Sequence, residues 1–280
     1  MAAGQVILVT GCSSGIGRST ALEAALRGHR VFASARNRND LAELERRENV
    51  TGLALDVTDA ASIRSAVEAV LSQAGRIDAL VNNAGYGQYG AVEEVSAEEW
   101  RAQFEVNFFG AIEMTRAVLP AMRAARRGTV VMVSSVAGKV PIPFAGPYCA
   151  AKHALEAVAD ALRVEVAPFG VRTVLVEPGP IETRFGERAR SQVAPFLSRP
   201  GPYRELYAGA ERAMDSDFQK GKLPPEAVAR IVVDAIESRR PRPRYPVGRI
   251  AKALVPLKRV LPDRWFDAIM RRSLKVPSGP

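Results

Sequence analysis

Gln5-Val-Ile-Leu-Val-Thr-Gly-Cys-Ser-Ser-Gly-Ile-Gly17 is the stretch that decides the fold. Residues 5–10 are a short apolar, β-branched run that reads as a buried strand. Glycines at 11, 15 and 17 follow at once, and an Ala/Leu-rich helical pattern then runs to about Gly28, a helix-ending glycine. A glycine-rich turn between a strand and a helix lets the backbone approach a pyrophosphate, with the helix N-terminus facing the negative charge. The spacing is G-x-x-x-G-x-G rather than the common G-x-G-x-x-G, and glycines at such a turn can also serve the turn alone.

The same alternation repeats along the chain. Strand-like runs at Arg30–Ala35, 51–55, 77–81, 129–134 and 171–176 are separated by helical patterns, one of them spanning 98–125. Strands alternating with helices six times over imply a doubly wound parallel sheet, with ligands at the carboxyl ends of the strands. The expectation is a Rossmann-type α/β domain, three layers deep (αβα), covering residues 1–247 and closed by an edge-like strand at Arg244–Val247. At the end of the second strand, where Asp or Glu would bind the adenosine ribose of NAD, stand Ala35 and Arg36. A guanidinium in place of a carboxylate suits a 2′-phosphate, so NADP(H) is favoured over NAD(H), with Ser14 as a further hydroxyl. Asp56, after the third strand, suits an adenine amino group or a helix cap.

Composition narrows the setting. At 280 residues with 47% hydrophobic and 25% charged residues, the chain is globular with material for a large core. Cys12 and Cys149 are too few for a disulfide framework, and His29 and His153 stand alone, so no metal is expected. The Val6–Val9 run lacks the length and basic flank of a signal peptide, and no stretch of 18 apolar residues occurs. A cytoplasmic location is expected. The net charge of +9 is localised: residues 239–280 hold twelve of the 39 Lys/Arg and two of the 30 Asp/Glu, a net of +10, leaving the body at −1. That pattern disfavours a nucleic-acid partner. The tail 248–280 mixes basic residues with Trp265, Phe266 and Ile269 at helical spacing, interrupted by Pro256 and Pro262. It suits peripheral contact with an anionic membrane, or packing on the body or another subunit.

A second stretch carries the chemistry. Ser135-Val-Ala-Gly-Lys-Val-Pro-Ile-Pro-Phe-Ala-Gly-Pro-Tyr-Cys-Ala-Ala-Lys152 leaves a buried strand, crosses a Gly/Pro-rich loop and enters a helix near Pro147. Tyr148 and Lys152 then share one helix face. A lysine ammonium one turn away is expected to lower the phenol's pKa from about 10 toward the working range. Ser135 can hold a substrate oxygen against the phenol. Residues 184–224 interrupt the alternation with Phe185, Phe196, Leu197, Tyr203, Leu206, Tyr207, Met214 and Phe218, which reads as a lid over an apolar substrate.

T-G-C-S-S-G-I-G (10–17), N-N-A-G (82–85), Asn107, Ser135, Y-C-A-A-K (148–152) and P-G-P-I-E-T (178–183) together resemble the short-chain dehydrogenase/reductase family, in the wording of its 17β-hydroxysteroid and retinol dehydrogenase branch. The resemblance implies proton transfer by Tyr148 to a carbonyl or from an alcohol, with Lys152 tuning it and holding the nicotinamide ribose. It implies that Ser135 orients the substrate oxygen and that Asn107 holds a relay water. Gly11, Ser14, Gly15, Ile16 and Gly17 would line the pyrophosphate and Arg36 the 2′-phosphate. Asp56 and Val57 would meet adenine, Asn83, Ala84 and Gly85 the adenosine ribose, and Pro178, Gly179, Ile181 and Thr183 the nicotinamide end. The expected activity is NADP(H)-dependent interconversion of a ketone or aldehyde and an alcohol on a small lipophilic substrate, in a homodimer or homotetramer. A 3-oxoacyl thioester reductase and a catalytically idle NADP-sensing protein are the alternatives.

Overall fold

The computed structural model describes residues 4–198, 201–209 and 222–273, leaving aside the side chains of 186–190, 198 and 273. The apolar runs form β1 (Val6–Val9), β2 (Arg30–Ala35), β3 (Val50–Ala54), β4 (Ala79–Asn82), β5 (Gly128–Val133), β6 (Val171–Pro178) and β7 (Arg244–Val247). They make one parallel sheet in the order β3-β2-β1-β4-β5-β6-β7. Successive strand side chains point to opposite faces, so each strand feeds two cores. Ile7, Val9, Val131, Val133, Val174 and Val176 face one side, while Leu8, Leu80, Val130, Met132 and Leu175 face the other.

Helices cover both faces. On the first lie α1 (Gly15–Leu26) and α7 (Pro225–Glu237). Small residues Ala21, Ala24 and Ala25 are buried on α1, and the pair is pinned by Ser19 to Glu226 and Arg27 to Asp234 and Glu237. On the second lie α2 (Ala60–Ala74), α4 (Gly110–Ala124) and α5 (Gly146–Val166). The cap of α2 is Asp59, whose carboxylate accepts from the Ala61 and Ser62 amides; Asp56 instead accepts from the Thr58 amide and hydroxyl. The capping alternative for Asp56 is therefore corrected. The expected 98–125 helix is two, α3 (Ala97–Phe104), started by a Ser96/Glu99 capping box, and α4, joined by a π turn at Glu105–Phe109. Single π turns of this kind recur at functional sites, and this one carries Asn107.

After β6 the chain forms α6 (Arg184–Ser198), and residues 204–209 are again helical. Met214 and Phe218 lie outside the described residues. Tyr207 anchors this insertion: its ring packs on Phe144 and stacks on Phe196, and its hydroxyl donates to Glu94 at 2.6 Å while accepting from the Ala91 amide. The tail forms α8 (Arg249–Val260) and α9 (Asp263–Ser273). Pro262 separates them, but Pro256 sits within α8 rather than interrupting it. The carbonyl left without a donor there, four residues back at Lys252, is on an exposed residue where water can serve it. Ala251 and Phe266 are buried against Val136 and Val140, so the tail is packed on the body at the loop that follows β5. Among the described residues, no helix is long and apolar enough to cross a membrane.

Candidate active site

At the carboxyl ends of the strands, a cleft of about 670 Å³ runs from the glycine turn to the start of α5. Its centre is the boundary of β1 and β4, where the crossover direction reverses. Thr10 organises that seam. Its hydroxyl donates to the Val81 carbonyl and accepts from the amides of Asn83 and Ala84, while Asn83 Nδ2 donates to the Thr10 carbonyl at 2.9 Å.

The glycines make a shaped cradle. Gly11 and Gly15 have φ of +72° and +58°, where side chains are disfavoured. A Cβ on Gly11 would lie 2.8 Å from Ala84 Cα, and one on Gly17 would lie 2.3 Å from the Gly11 carbonyl oxygen. Ser14 starts α1 without capping it by its side chain, so the first amides of α1 have no side-chain acceptor from their cap residue. The cradle and the uncapped helix start fit a pyrophosphate. Ser14, Ile16, Arg36, Asp56 and Val57 continue along the same wall, and Ala35 brings no carboxylate to it. Of the sequence-derived site residues, only Gly17 does not line the cleft; it is the packing residue beneath.

The other end gathers Ser135, Tyr148 and Lys152. Ser135 leaves β5 in extended conformation and caps the short turn at 136–138 by accepting from the Ala137 amide. Tyr148 sits in the first turn of α5, buried and near Ser135, whose hydroxyl donates to the Pro178 carbonyl at 3.5 Å. Burial pushes its phenol up to about 12, with the neighbouring Ser135 hydroxyl pulling it back. The expected lowering by Lys152 is not found. Lys152 Nζ lies 5.9 Å from the Tyr148 ring centroid and donates to the Val133 carbonyl at 2.8 Å, while its own burial brings it down to about 8. Desolvation of the phenolate thus outweighs attraction to the ammonium.

Asn107, 1% exposed, holds the loop after β4: its Oδ1 accepts from the Tyr86 amide and its Nδ2 donates to the Tyr86 carbonyl. Each of its two side-chain polar atoms thus gives one bond to that loop and keeps capacity for another. A Cβ on Gly85 would lie 3.1 Å from Asn107 Oδ1, which explains the glycine there. Pro178, Gly179, Ile181 and Thr183 complete the wall, and Thr183 touches the cradle: a Cβ on Gly15 would lie 3.0 Å from its Cγ2.

One lining residue was expected as part of the lid, and several others were not. Phe185, the first aromatic of the insertion, packs on Tyr148 at 5.3 Å between ring centroids and on Tyr89 at 6.4 Å. Tyr89 and Ile142 complete an apolar pocket around the phenol, and Ser13, Arg184 and Lys222 add polar groups by the cradle. Ser13 stands inside the glycine motif and Tyr89, Ile142 and Arg184 follow motifs by a few residues, whereas nothing in the sequence points to Lys222. Among the described residues, no three His, Cys, Asp or Glu side chains converge as a metal site would need.

Known proteins agree with this geometry. The family model described as short chain dehydrogenase matches residues 5–194. The NADPH-dependent 3-dehydrocapnine reductase of Ornithobacterium rhinotracheale is 37% identical, covering 96% of each chain. Human retinol dehydrogenase 8 is 34% identical over 92% of this chain and 86% of its own. A short-chain dehydrogenase from Streptomyces avermitilis superposes with a TM-score of 0.81 at 31% identity, covering 99% of both chains. Replacing Asn107 by Ala strands the Tyr86 amide and carbonyl, and thermal or denaturant unfolding is expected to show a loss of about 1–3 kcal/mol. A glycine-cradled cleft at the crossover point of a parallel sheet, with Ser135, Tyr148 and Lys152 at its end, is what this comparison adds to: the chain belongs to the short-chain dehydrogenase/reductase family and is an oxidoreductase of CH–OH and C=O groups.

Proposed function

We propose that the protein uses NADP(H) to interconvert a lipophilic ketone or aldehyde and its alcohol, with Tyr148 as the proton donor and acceptor. The observation that carries this reading is the Tyr148 phenol, buried near Ser135 and walled by Phe185, Tyr89 and Ile142 at one end of the cradle-bearing cleft. Bound NADPH supplies the hydride. Ser135 orients the substrate oxygen toward the phenol, and Tyr148 gives it a proton. A phenol held near 12 is protonated at neutral pH and is poised for reduction. Lys152, anchored on the Val133 carbonyl, supplies a nearby positive charge and a donor for the ribose of the cofactor. Asn107 keeps the loop at Tyr86 in place. The walls around Tyr148 are apolar, in keeping with a relative named for retinol and another for a 3-dehydro compound reduced with NADPH.

Exposed Phe109 on the π turn and Val164 on α5 support assembly as a homodimer or homotetramer through the helices that carry Asn107 and Tyr148. The tail supports peripheral attachment to anionic membrane. Trp265 is 69% exposed next to Arg264 in the chain, while Phe266 faces the body. Because α8 and α9 are packed, point changes test this better than deletion: Trp265→Ala with Ile269→Ala is expected to abolish pelleting with phosphatidylserine vesicles. Equal pelleting of variant and parent would remove the membrane role.

Two further measurements bear on the chemistry. Tyr148→Phe should retain NADPH binding by fluorescence yet reduce ketone turnover about 10²–10⁴-fold; unchanged turnover would overturn the assignment. Lys152 has its pKa depressed, so its charge is present below about 8 and lost above it, and reduction should fall as pH rises through that value. For the cofactor, Arg36→Ala should weaken NADPH binding about tenfold or more, the scale of a charge-assisted hydrogen bond, and leave NADH nearly unaffected. Equal losses for both would assign Arg36 elsewhere.

A further inference from the structure

The charged groups that this reaction leaves unused gather behind Lys152. Glu156 follows it by one turn on the buried face of α5 and is 2% exposed; Glu177, at the end of β6, is 1% exposed. Carboxylates are almost never buried so fully unless paired. Glu156 Oε2 meets Lys139 Nζ at 2.9 Å and Arg244 Nη2 at 3.1 Å. Arg244 also reaches Glu177 at 3.1 Å and Asp160 at 2.5 Å. The other oxygen of Glu156, Oε1, is buried without a hydrogen-bond partner. This cluster adjoins the reactive end of the cleft: a Cβ on Gly138 would lie 2.7 Å from Ser134 Oγ and 3.1 Å from both Glu156 Cγ and the Lys152 carbonyl.

Two cations of the cluster therefore fix one oxygen of Glu156 and leave the other buried without a hydrogen-bond partner among the described residues, one helical turn after Lys152. Lys152 has only a neutral carbonyl as its hydrogen-bond partner. We propose that Glu156, held by Lys139 and Arg244 one helical turn from Lys152, is a positioning residue that keeps the Lys152 ammonium charged. The proposal rests on the reading that Lys152 serves the reaction.

The groups facing Glu156 are Lys139 from the turn after Ser135, Glu177 from β6, Arg244 from β7, and Lys152 and Asp160 from its own helix. Burial depresses the Lys152 ammonium, and Glu156 opposes that fall. Loss of the carboxylate must then lower Lys152 further. Glu177 is pushed up to about 7 by burial and by Glu156, so in the variant it ionises more readily and remains a partner for Arg244. Glu156→Gln is therefore expected to fold.

The test reads Lys152 twice in the full-length protein. The chain has seven lysines, so NMR of protein labelled at lysine Nζ and Cε can follow Lys152 directly, its signal assigned as the one lost in Lys152→Met. Ketone reduction with NADPH gives the alkaline limb independently. In Glu156→Gln both should move down together; a drop of one unit lowers turnover at pH 8 about fivefold. Glu156→Asp, which keeps the charge, should restore most of both, and Glu156→Met, which removes the charge without burying a new polar group, takes the place of the Gln variant if that does not fold. An unmoved Lys152 titration overturns the proposal and leaves Glu156 as a packing anchor. A moved titration with an unmoved limb also overturns it, and places the fault in the role given to Lys152, a result distinguishable from failure of Tyr148→Phe.

Discussion

The hydroxyl of Thr10 bridges the one seam of the sheet where the chain changes its winding direction. Two neighbouring parallel strands whose connections leave on opposite faces cannot close the gap above them with backbone alone. Their terminal amides need a partner, and a single side chain of β1's extension supplies it to Asn83 and Ala84. Everything that follows depends on that gap being held open and ordered. The glycine turn fits against Ala84, Asn83 packs over Gly17, and the loop beyond Gly85 is caught by Asn107.

At the other end of the cleft, burial sets the electrostatics. Tyr148 and Lys152 are both withdrawn from water, and each is pushed toward its neutral form, the phenol up and the ammonium down. Their opposite shifts leave the pair a proton-bearing phenol and a lysine near its midpoint at slightly alkaline pH. The nearby Ser135 hydroxyl and the Glu156 carboxylate work against desolvation from two sides. The protein thus assembles a responsive pair within an interior that would silence either group by itself.

Much of this was legible in the residues. Short continuous apolar, β-branched runs told strand from helix, and the glycine turn, Ala35 and Arg36 told which end of each strand matters. All but Gly17 of the site residues named from sequence come to one cleft. What was not legible depends on three-dimensional placement. Nothing in Tyr-x-x-x-Lys says whether lysine or burial dominates the phenol, because desolvation is set by distant segments. The π turn at Asn107 cannot be seen in a pattern that continues helical periodicity on both sides. Asp56 and Asp59 are equally good caps in sequence, and only the direction in which the chain leaves β3 separates them. Pro256 reads as an interruption until the exposure of Lys252 is known.

The segment from Ile181 to Phe185 touches the cradle through Thr183 and the phenol through the Phe185 ring. So short a span serves two masters, and it cannot drift to suit one without disturbing the other. New substrate preferences in chains of this design must therefore arise beyond it, in the stretch that Tyr207 fastens to Glu94.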